Sequence, residues 1–413
     1  MNKKVLTVLI GLTITLSMVL GILAGCGTPA TPTATVTPTG TATGKPTATA
    51  KPTTTAAPTP LKAGEVIKWR CQSFNSAGSP NFWLQKEFAE NVKIASGGRL
   101  VIDVLPVGSI LGTYEIFDGV GSGAIESGVS CDPYWSGNDM RFELQGMIAG
   151  HFTPMVQIGW FFGNISADKP IAPGWQYAEE LFGKFNIKPI PFGISETEAE
   201  YMANKPIIKP SDYKGLTFRG TGWTTMTVQE PSFGAKGVFV PSQDVYSSLQ
   251  TGVIDACELG NLASNYVQGY YDICKYTGFP GIHKLGETCS FMVNMATWKK
   301  TPADLQKIVE ACAHMYGLRN QAFARVQSAQ ALPEVIKKGV TVTYTSPEAQ
   351  NMWRTTSWAL SEKEAAKSPE FKKMWEDMKA FQIMMDRYVD LQTPDYGPDY
   401  EGNKEKISGI KFQ

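Results

Sequence analysis

Histidine is scarce in this chain of 413 residues. Only His151, His283 and His314 occur, and none stands at ligand spacing from a cysteine. No C-x-x-C pair is present either, so a zinc site built on Cys and His is not expected. G-x-S-x-G, H-E-x-x-H and the Walker lysine loop are all missing, which removes the serine-hydrolase, zincin and P-loop readings. Charge is balanced, 38 Lys+Arg against 38 Asp+Glu. No Lys/Arg cluster is interleaved with aromatics, so no nucleic-acid partner is implied. Gly119-Val-Gly121-Ser-Gly123 is glycine-rich, but it falls inside an expected helix rather than after a strand and is a weak phosphate signal. Acid pairs such as Glu196/Glu198 lack a hydrolase context. The chain reads as a non-enzyme with no organic cofactor.

What is present begins with an export signal. Asn2-Lys3-Lys4 is a positive start, Val5 to Leu23 is apolar apart from small residues, and Leu23-Ala24-Gly25-Cys26 follows. That order is a secretory pattern, and the junction resembles a bacterial lipobox. The resemblance implies cleavage after residue 25 and a lipid on Cys26, hence a membrane-anchored exported protein. The same stretch is nearly long enough for an uncleaved anchor helix. Residues 26–60 are almost entirely Thr, Pro, Ala and Gly with no aromatic residue. Such a composition buries too little apolar surface to offset its ordering entropy. It reads as a tether reaching roughly 35 Å as coil and about 100 Å in polyproline II.

Residues 61–413 suffice for two domains with cores. Without Lys3 and Lys4 the chain keeps 36 basic and 38 acidic residues. Besides Cys26 there are six cysteines, at 71, 131, 257, 274, 289 and 312. An even count permits disulfides whose pairing the sequence does not reveal. Buried free thiols are the other reading, since Cys71 and Cys131 fall in expected core strands.

Val66–Phe74, Leu100–Leu105 and Ala124–Cys131 read as strands. Between them lie helices opened by Ser79-Pro80 and spanning Glu115–Ser122. This alternation points to a parallel sheet covered by helices. Asp132-Pro133-Tyr134-Trp135 then sits at a carboxyl edge, where open α/β sheets bind ligands. A helix over Trp175–Phe185 and a strand over Ile187–Phe192 follow, then a polar loop, Gly193–Glu198. Ser346–Asp390 is amphipathic helix, with Pro369 opening a second segment.

The densest block is Tyr213–Glu258. Leu216–Arg219 and Val253–Cys257 read as strands, the second followed by Glu258. A helix near Thr224–Phe233, a strand at Val238–Val240 and a helix capped by Ser242 lie between. Two strand ends, one cationic and one anionic, suggest a cleft for a small anion.

Lys214-Gly-Leu-Thr-Phe-Arg219, Val245-Tyr-Ser-Ser-Leu-Gln-Thr-Gly-Val-Ile-Asp255 and Ser96-Gly-Gly-Arg99 together resemble the DctP-type solute-binding proteins of TRAP (tripartite ATP-independent periplasmic) transporters. Ala256-Cys-Glu258, Tyr270-Tyr-Asp and Phe279-Pro-Gly-Ile-His283 are most similar to its 2-oxo acid and lactate branch. The resemblance implies an α/β, two-domain, type II periplasmic-binding-protein-like fold with a cleft, a hinge and long C-terminal helices. One domain would comprise 61–193 plus 285–327 and the other 194–284 plus 328–413. The implied function is capture of a small organic acid and delivery to TRAP permease subunits. An ABC-type receptor, or a permease-independent lipid-anchored binding or sensory protein, is the competing reading.

Carried over by position, the resemblance makes Arg219 the carboxylate anchor, Tyr134 and Trp135 an aromatic wall, and Glu258 part of a cation site with Glu198 and the backbone of Leu259. Two departures bear on that cation. Glu198 replaces a coordinating Gln and strengthens a site for Ca²⁺ or Na⁺. Lys284 replaces a Glu and offers an ammonium in the ion's place. Two neighbouring acids need one cation or the other, with the metal slightly favoured.

Overall fold

The structure, a computed structural model, describes residues 64–146, 148–163 and 172–392. The signal, Cys26 and the tether lie outside the described residues.

The first five described strands in chain order are β1 (Ile67–Ser73), β2 (Leu100–Leu105), β3 (Ser127–Cys131), β4 (Ile187–Ile194) and β5 (Tyr201–Ala203). Then come β6 (Thr217–Arg219), β7 (Lys236–Val238), β8 (Ala256–Cys257), β9 (Tyr276–Phe279), β10 (Thr288–Asn294) and β11 (Thr341–Tyr344). They form two mixed sheets, ordered β2-β1-β3-β10-β4 and β11-β9-β5-β8-β6-β7. β1 runs parallel to both β2 and β3, as the strand–helix alternation predicts, and β10 runs antiparallel between β3 and β4. Every residue of β3 is buried, as fits a central strand covered on both faces.

The helices follow their local signals. In α1 (Pro80–Ala95) the Ser79 side chain accepts from the Asn81 amide and Pro80 supplies the pre-set first turn. α2 (Ile116–Ser122) begins one residue later than its sequence span. α3 (Gly222–Gln229) and α4 (Ser242–Gln250) follow β6 and β7. Pro241 rather than Ser242 occupies the cap of α4, and Ser242 is its first helical residue. The strand expected at Val253–Cys257 shortens to β8. The loop expected from Gly193 instead continues β4 to Ile194.

α5 (Ala303–Lys337) is a 35-residue helix, roughly 50 Å long. Its Leu305, Val309, Ala313 and Tyr316 pack under the first sheet, while Ala331 and Val335 pack under the second. Aromatic stacking secures the first end: Tyr316 lies 3.8 Å from Phe192, and Phe88 meets Phe192 edge-on at 4.8 Å. Such pairs add roughly 0.5–1.5 kcal/mol each beyond their buried area. α6 (Pro347–Ala365) and α7 (Pro369–Gln392) close the described chain. Trp353 of α6 packs with the second sheet. Phe371, Trp375 and Phe381 of α7 pack into the core beside the first sheet, although the boundary at 328 groups them with the second.

Besides α5, the chain passes between the sheets at Ser195–Glu200 and Pro280–Glu287. These two crossings are bonded to each other. Ser195 N donates to Glu287 O at 2.8 Å and Glu198 N to Lys284 O at 3.3 Å. Thr197 Oγ1 donates to Leu285 O at 2.7 Å. A Cβ on Gly281 would stand 2.0 Å from Glu198 O, so only glycine permits this approach. All six described cysteines are free thiols, five of them buried, which decides between the two cysteine readings. Cys131 and Cys289 are register partners across β3 and β10.

Candidate functional site

The site is built where the two crossings meet the ends of β6 and β8. Parallel pairing sets Arg219 opposite Cys257, so Glu258, one residue further, falls beside the arginine. Arg219 Nη1 donates to the Glu258 carbonyl at 2.7 Å and lies 3.5 Å from its carboxylate. Arg219 Nε donates to Val240 O at 3.0 Å, and Nη2 has no partner. Glu258 Oε1 accepts from the Thr221 amide at 2.7 Å and its hydroxyl at 3.0 Å. Both Arg219 and Glu258 are 1% exposed.

The crossings contribute the rest. Lys284 Nζ lies 3.2 Å from Glu198 Oε1 and 3.2 Å from Glu287 Oε2. His283, one residue before it, places Nδ1 3.0 Å from Glu200 Oε2. Its Nε2 lies 3.5 Å from Glu198 and 3.9 Å from Glu258, ion-pair contacts too long for good hydrogen bonds. Glu200 also accepts from the Ile282 amide at 2.7 Å and from Tyr213 Oη at 3.0 Å. Four buried glutamates thus face Arg219, Lys284 and His283.

Burial opposes the charges of Lys284, Glu198 and His283, and attraction between opposite charges decides all three, whereas burial keeps the Glu287 carboxyl above its ordinary value. Burial would lower Lys284, but Glu198, Glu287 and Glu258 hold it well above the ordinary lysine value. Burial would raise Glu198, but Lys284 and His283 hold it well below the usual carboxylate range. For His283, burial is outweighed by the neighbouring carboxylates of Glu198, Glu200 and Glu258, and the imidazole rises to about 10. The ring is therefore an imidazolium at neutral pH.

Beside the cluster lies a cavity of about 150 Å³ lined by Tyr114, Tyr134, Glu143, Thr221, Phe239 and Glu287, among others. A void of that size holds a benzene-sized molecule. Tyr114 stands 5.7 Å from Tyr134 and 5.9 Å from Phe239, giving an aromatic wall. Burial keeps the Tyr134 hydroxyl protonated, a donor at all ordinary pH. Trp135 turns away from the cavity. It is 3% exposed and stacks on Phe117 at 4.9 Å in the core. Arg219 is not in the cavity wall; Thr221, two residues on, is. Leu259 is partly buried against the core of the second sheet.

Absent from the sequence-derived site were four ionisable residues, His283, Glu200, Glu287 and Glu143, and the cavity residues Tyr114, Thr221 and Phe239. His283 and Glu200 carry a signal, since Glu198 and Glu200 are spaced two apart in extended chain and share a face. Glu287 stands three residues after Lys284. Glu143 lies in the 3₁₀ segment Met140–Gln145 and carries no pattern.

A profile of the family described as bacterial extracellular solute-binding protein, family 7 (DctP) matches residues 72–368. This chain belongs to the DctP family. Among curated relatives, a monocarboxylate 2-oxoacid-binding periplasmic protein of Nostoc sp. is 22% identical over 319 residues, covering 76% of this chain and 84% of the relative. A TRAP transporter solute-binding protein of Bordetella bronchiseptica, solved with copurified calcium and picolinate, superimposes with a TM-score of 0.74 at 20% identity, covering 84% of this chain and 98% of that one. One from Pseudoalteromonas atlantica, with bound sodium and pyruvate, gives 0.72 at 23%, covering 84% and 100%. The fold is accordingly the type II periplasmic-binding-protein fold, and the family is one of extracellular solute-binding proteins rather than enzymes. Among the described residues no helix is long and apolar enough to cross a membrane.

Proposed function

We propose that this DctP protein captures a small monocarboxylate between two lobes, 61–193 plus 285–327 and 194–284 plus 328–413, and delivers it to a TRAP permease, with Lys284 supplying the site's cation. The observation that carries this reading is the position of Lys284 Nζ, 3.2 Å from each of two buried glutamates. Relatives that bind 2-oxo acids and pyruvate support the ligand class. The bonded crossings support a hinge, and closure around ligand is the expected motion. Arg219 would take the carboxylate through its unpartnered Nη2, paired donors being suited to that group. Because the arginine stands behind Thr221, the cavity must extend to it as ligand enters. Tyr134 donates its hydroxyl to the ligand.

The metal reading rests on Glu198, Glu258 and His283, whose ligand atoms all lie within 4.8 Å of one another. This set fits Ca²⁺ or Na⁺ poorly. Ca²⁺ takes six to eight oxygens, whereas here one of three donors is nitrogen and an ammonium already stands against Glu198. The lipid on Cys26 and the 26–60 tether complete the proposal as a membrane-anchored receptor; a Cys26→Ser protein released into the medium is its test.

Isothermal titration with pyruvate and with L-lactate, in Ca²⁺ and again in chelator, tests the whole reading. We expect binding unchanged by chelation and abolished by Arg219→Ala. Binding that needs Ca²⁺ would restore the metal, and micromolar binding by the Arg219→Ala protein would end the anchor assignment.

A further inference from the structure

The cavity carries two acids that the capture of a carboxylate does not explain. Glu143 and Glu287 both line it, are 1% and 4% exposed, and each has one carboxylate oxygen with no partner, Oε2 and Oε1 respectively. Glu287 pairs with Lys284, and for Glu143 burial is only partly offset by the nearby Ser136 side chain and Trp223 backbone. Buried acceptors left unpaired are costly, more so when charged. Resting on the receptor reading above, we propose that Glu143, aided by Glu287, selects carboxylates bearing an O–H or N–H donor beside the carboxyl group, and discriminates against the matching 2-oxo acid.

The cavity is polarised in the sense this needs. The Tyr134 and Thr221 hydroxyls line it as donors that can meet a carboxylate, and Lys284 stands behind the wall, 3.2 Å from Glu287 Oε2. Glu143 and Glu287 supply acceptors that a ligand with only oxygen acceptors leaves unpaired. A ligand hydroxyl or ammonium pairs them. Sites that hydrogen-bond a ligand donor reject analogues lacking it far more strongly than apolar pockets reject a missing methylene. Glu143 also acts across the cavity, since a Cβ on Gly222 would stand 2.1 Å from its Oε1. The carboxyl thus lies close against the start of α3 and is 1% exposed.

The test compares three acids of nearly equal size, pyruvate, L-lactate and L-alanine, by titration against wild type and Glu143→Gln. Lactate reports a hydroxyl and alanine an ammonium. The wild type should bind at least one of these two roughly 10- to 100-fold more tightly than pyruvate. Glu143→Gln should reduce that preference, read as the ratio of the lactate or alanine affinity to the pyruvate affinity, at least several-fold. Equal wild-type affinities for all three would overturn the selectivity while leaving the receptor reading intact. A uniform loss across the three in Glu143→Gln would reduce Glu143 to a structural contact and overturn it as well. No response to any of the three would defeat the small-monocarboxylate reading and this inference with it. Circular dichroism of the variant separates misfolding from lost recognition, and Glu287→Gln supplies a second variant on the same readout.

Discussion

The ammonium of Lys284 stands 3.2 Å from the Glu198 carboxylate, with neither residue more than 7% exposed. The two belong to different crossings between the sheets, joined by the Glu198 N–Lys284 O hydrogen bond. One ion pair therefore ties the two crossings together. Desolvating two charges is repaid only when each is partnered, and removing one leaves the other stranded. Lys284→Met should accordingly cost about 3–5 kcal/mol in denaturant unfolding. Lys284→Gln should gain a rise in melting temperature on adding Ca²⁺ that the wild type should not show, because the acids then need another cation. A wild-type protein already stabilised by Ca²⁺ would count against the internal ammonium.

Stability should depend on pH through the same cluster. The folded His283 imidazole is raised from 6.5 to about 10. Its contribution is fully present below 6.5 and is lost as pH rises toward 10, and amounts to ~5 kcal/mol at most. Glu198 has the opposite sign. It is lowered, so its contribution is present above the ordinary carboxylate value of 4.5 and lost as pH falls below it. The difference in unfolding free energy between wild type and His283→Asn, measured from pH 6 to 10, should shrink steadily with pH. A constant difference would mean that the ring is neutral and only packs, against Trp353 at 5.9 Å.

Much of this was legible because short-range signals are strong where chain direction changes. Ser79-Pro80 marks a helix start by capping and Ser346 opens the amphipathic C-terminal segment, and the structure follows both. Arg219 and Glu258 were legible because each closes a short strand of the Tyr213–Glu258 block. Trp135 was not, since neighbours in a 3₁₀ turn point about 120° apart and nothing in Asp132-Pro133-Tyr134-Trp135 says which ring faces the cavity. The long helix α5 had no readable stripe because its buried face serves first one core and then the other. Glu143 was invisible for a different reason: its meaning comes from Gly222, remote in sequence, with which it shares no period.

That contact gives a direct test. Gly222 has φ +42° and begins α3, and a methyl there would collide with the Glu143 carboxylate. Gly222→Ala should destabilise the fold by about 1–3 kcal/mol, the usual cost of overpacking. Shortening the partner should relieve the collision, so Glu143→Ala and Gly222→Ala together should cost at least ~0.5 kcal/mol less than their sum. Strict additivity would place the strain in the backbone angle instead.

Glu143 finally predicts a stability gain from removing a charge. Burial raises its carboxyl from 4.5 to about 7, beyond what Ser136 and Trp223 offset. The folded protein holds this proton more tightly than the unfolded chain. Stability therefore falls as pH rises from 4.5 to 7 and stays reduced above, by up to ~3 kcal/mol. Glutamine keeps the shape and carries no charge to desolvate. Glu143→Gln should match the wild type near pH 4.5 and exceed it above pH 7 in apo-protein denaturant unfolding. The margin should narrow when a donor-bearing ligand such as L-lactate is present, because the ligand then partners the wild-type carboxylate. A variant less stable than wild type at pH 8, with or without ligand, would show that the ionised group is already satisfied by the protein.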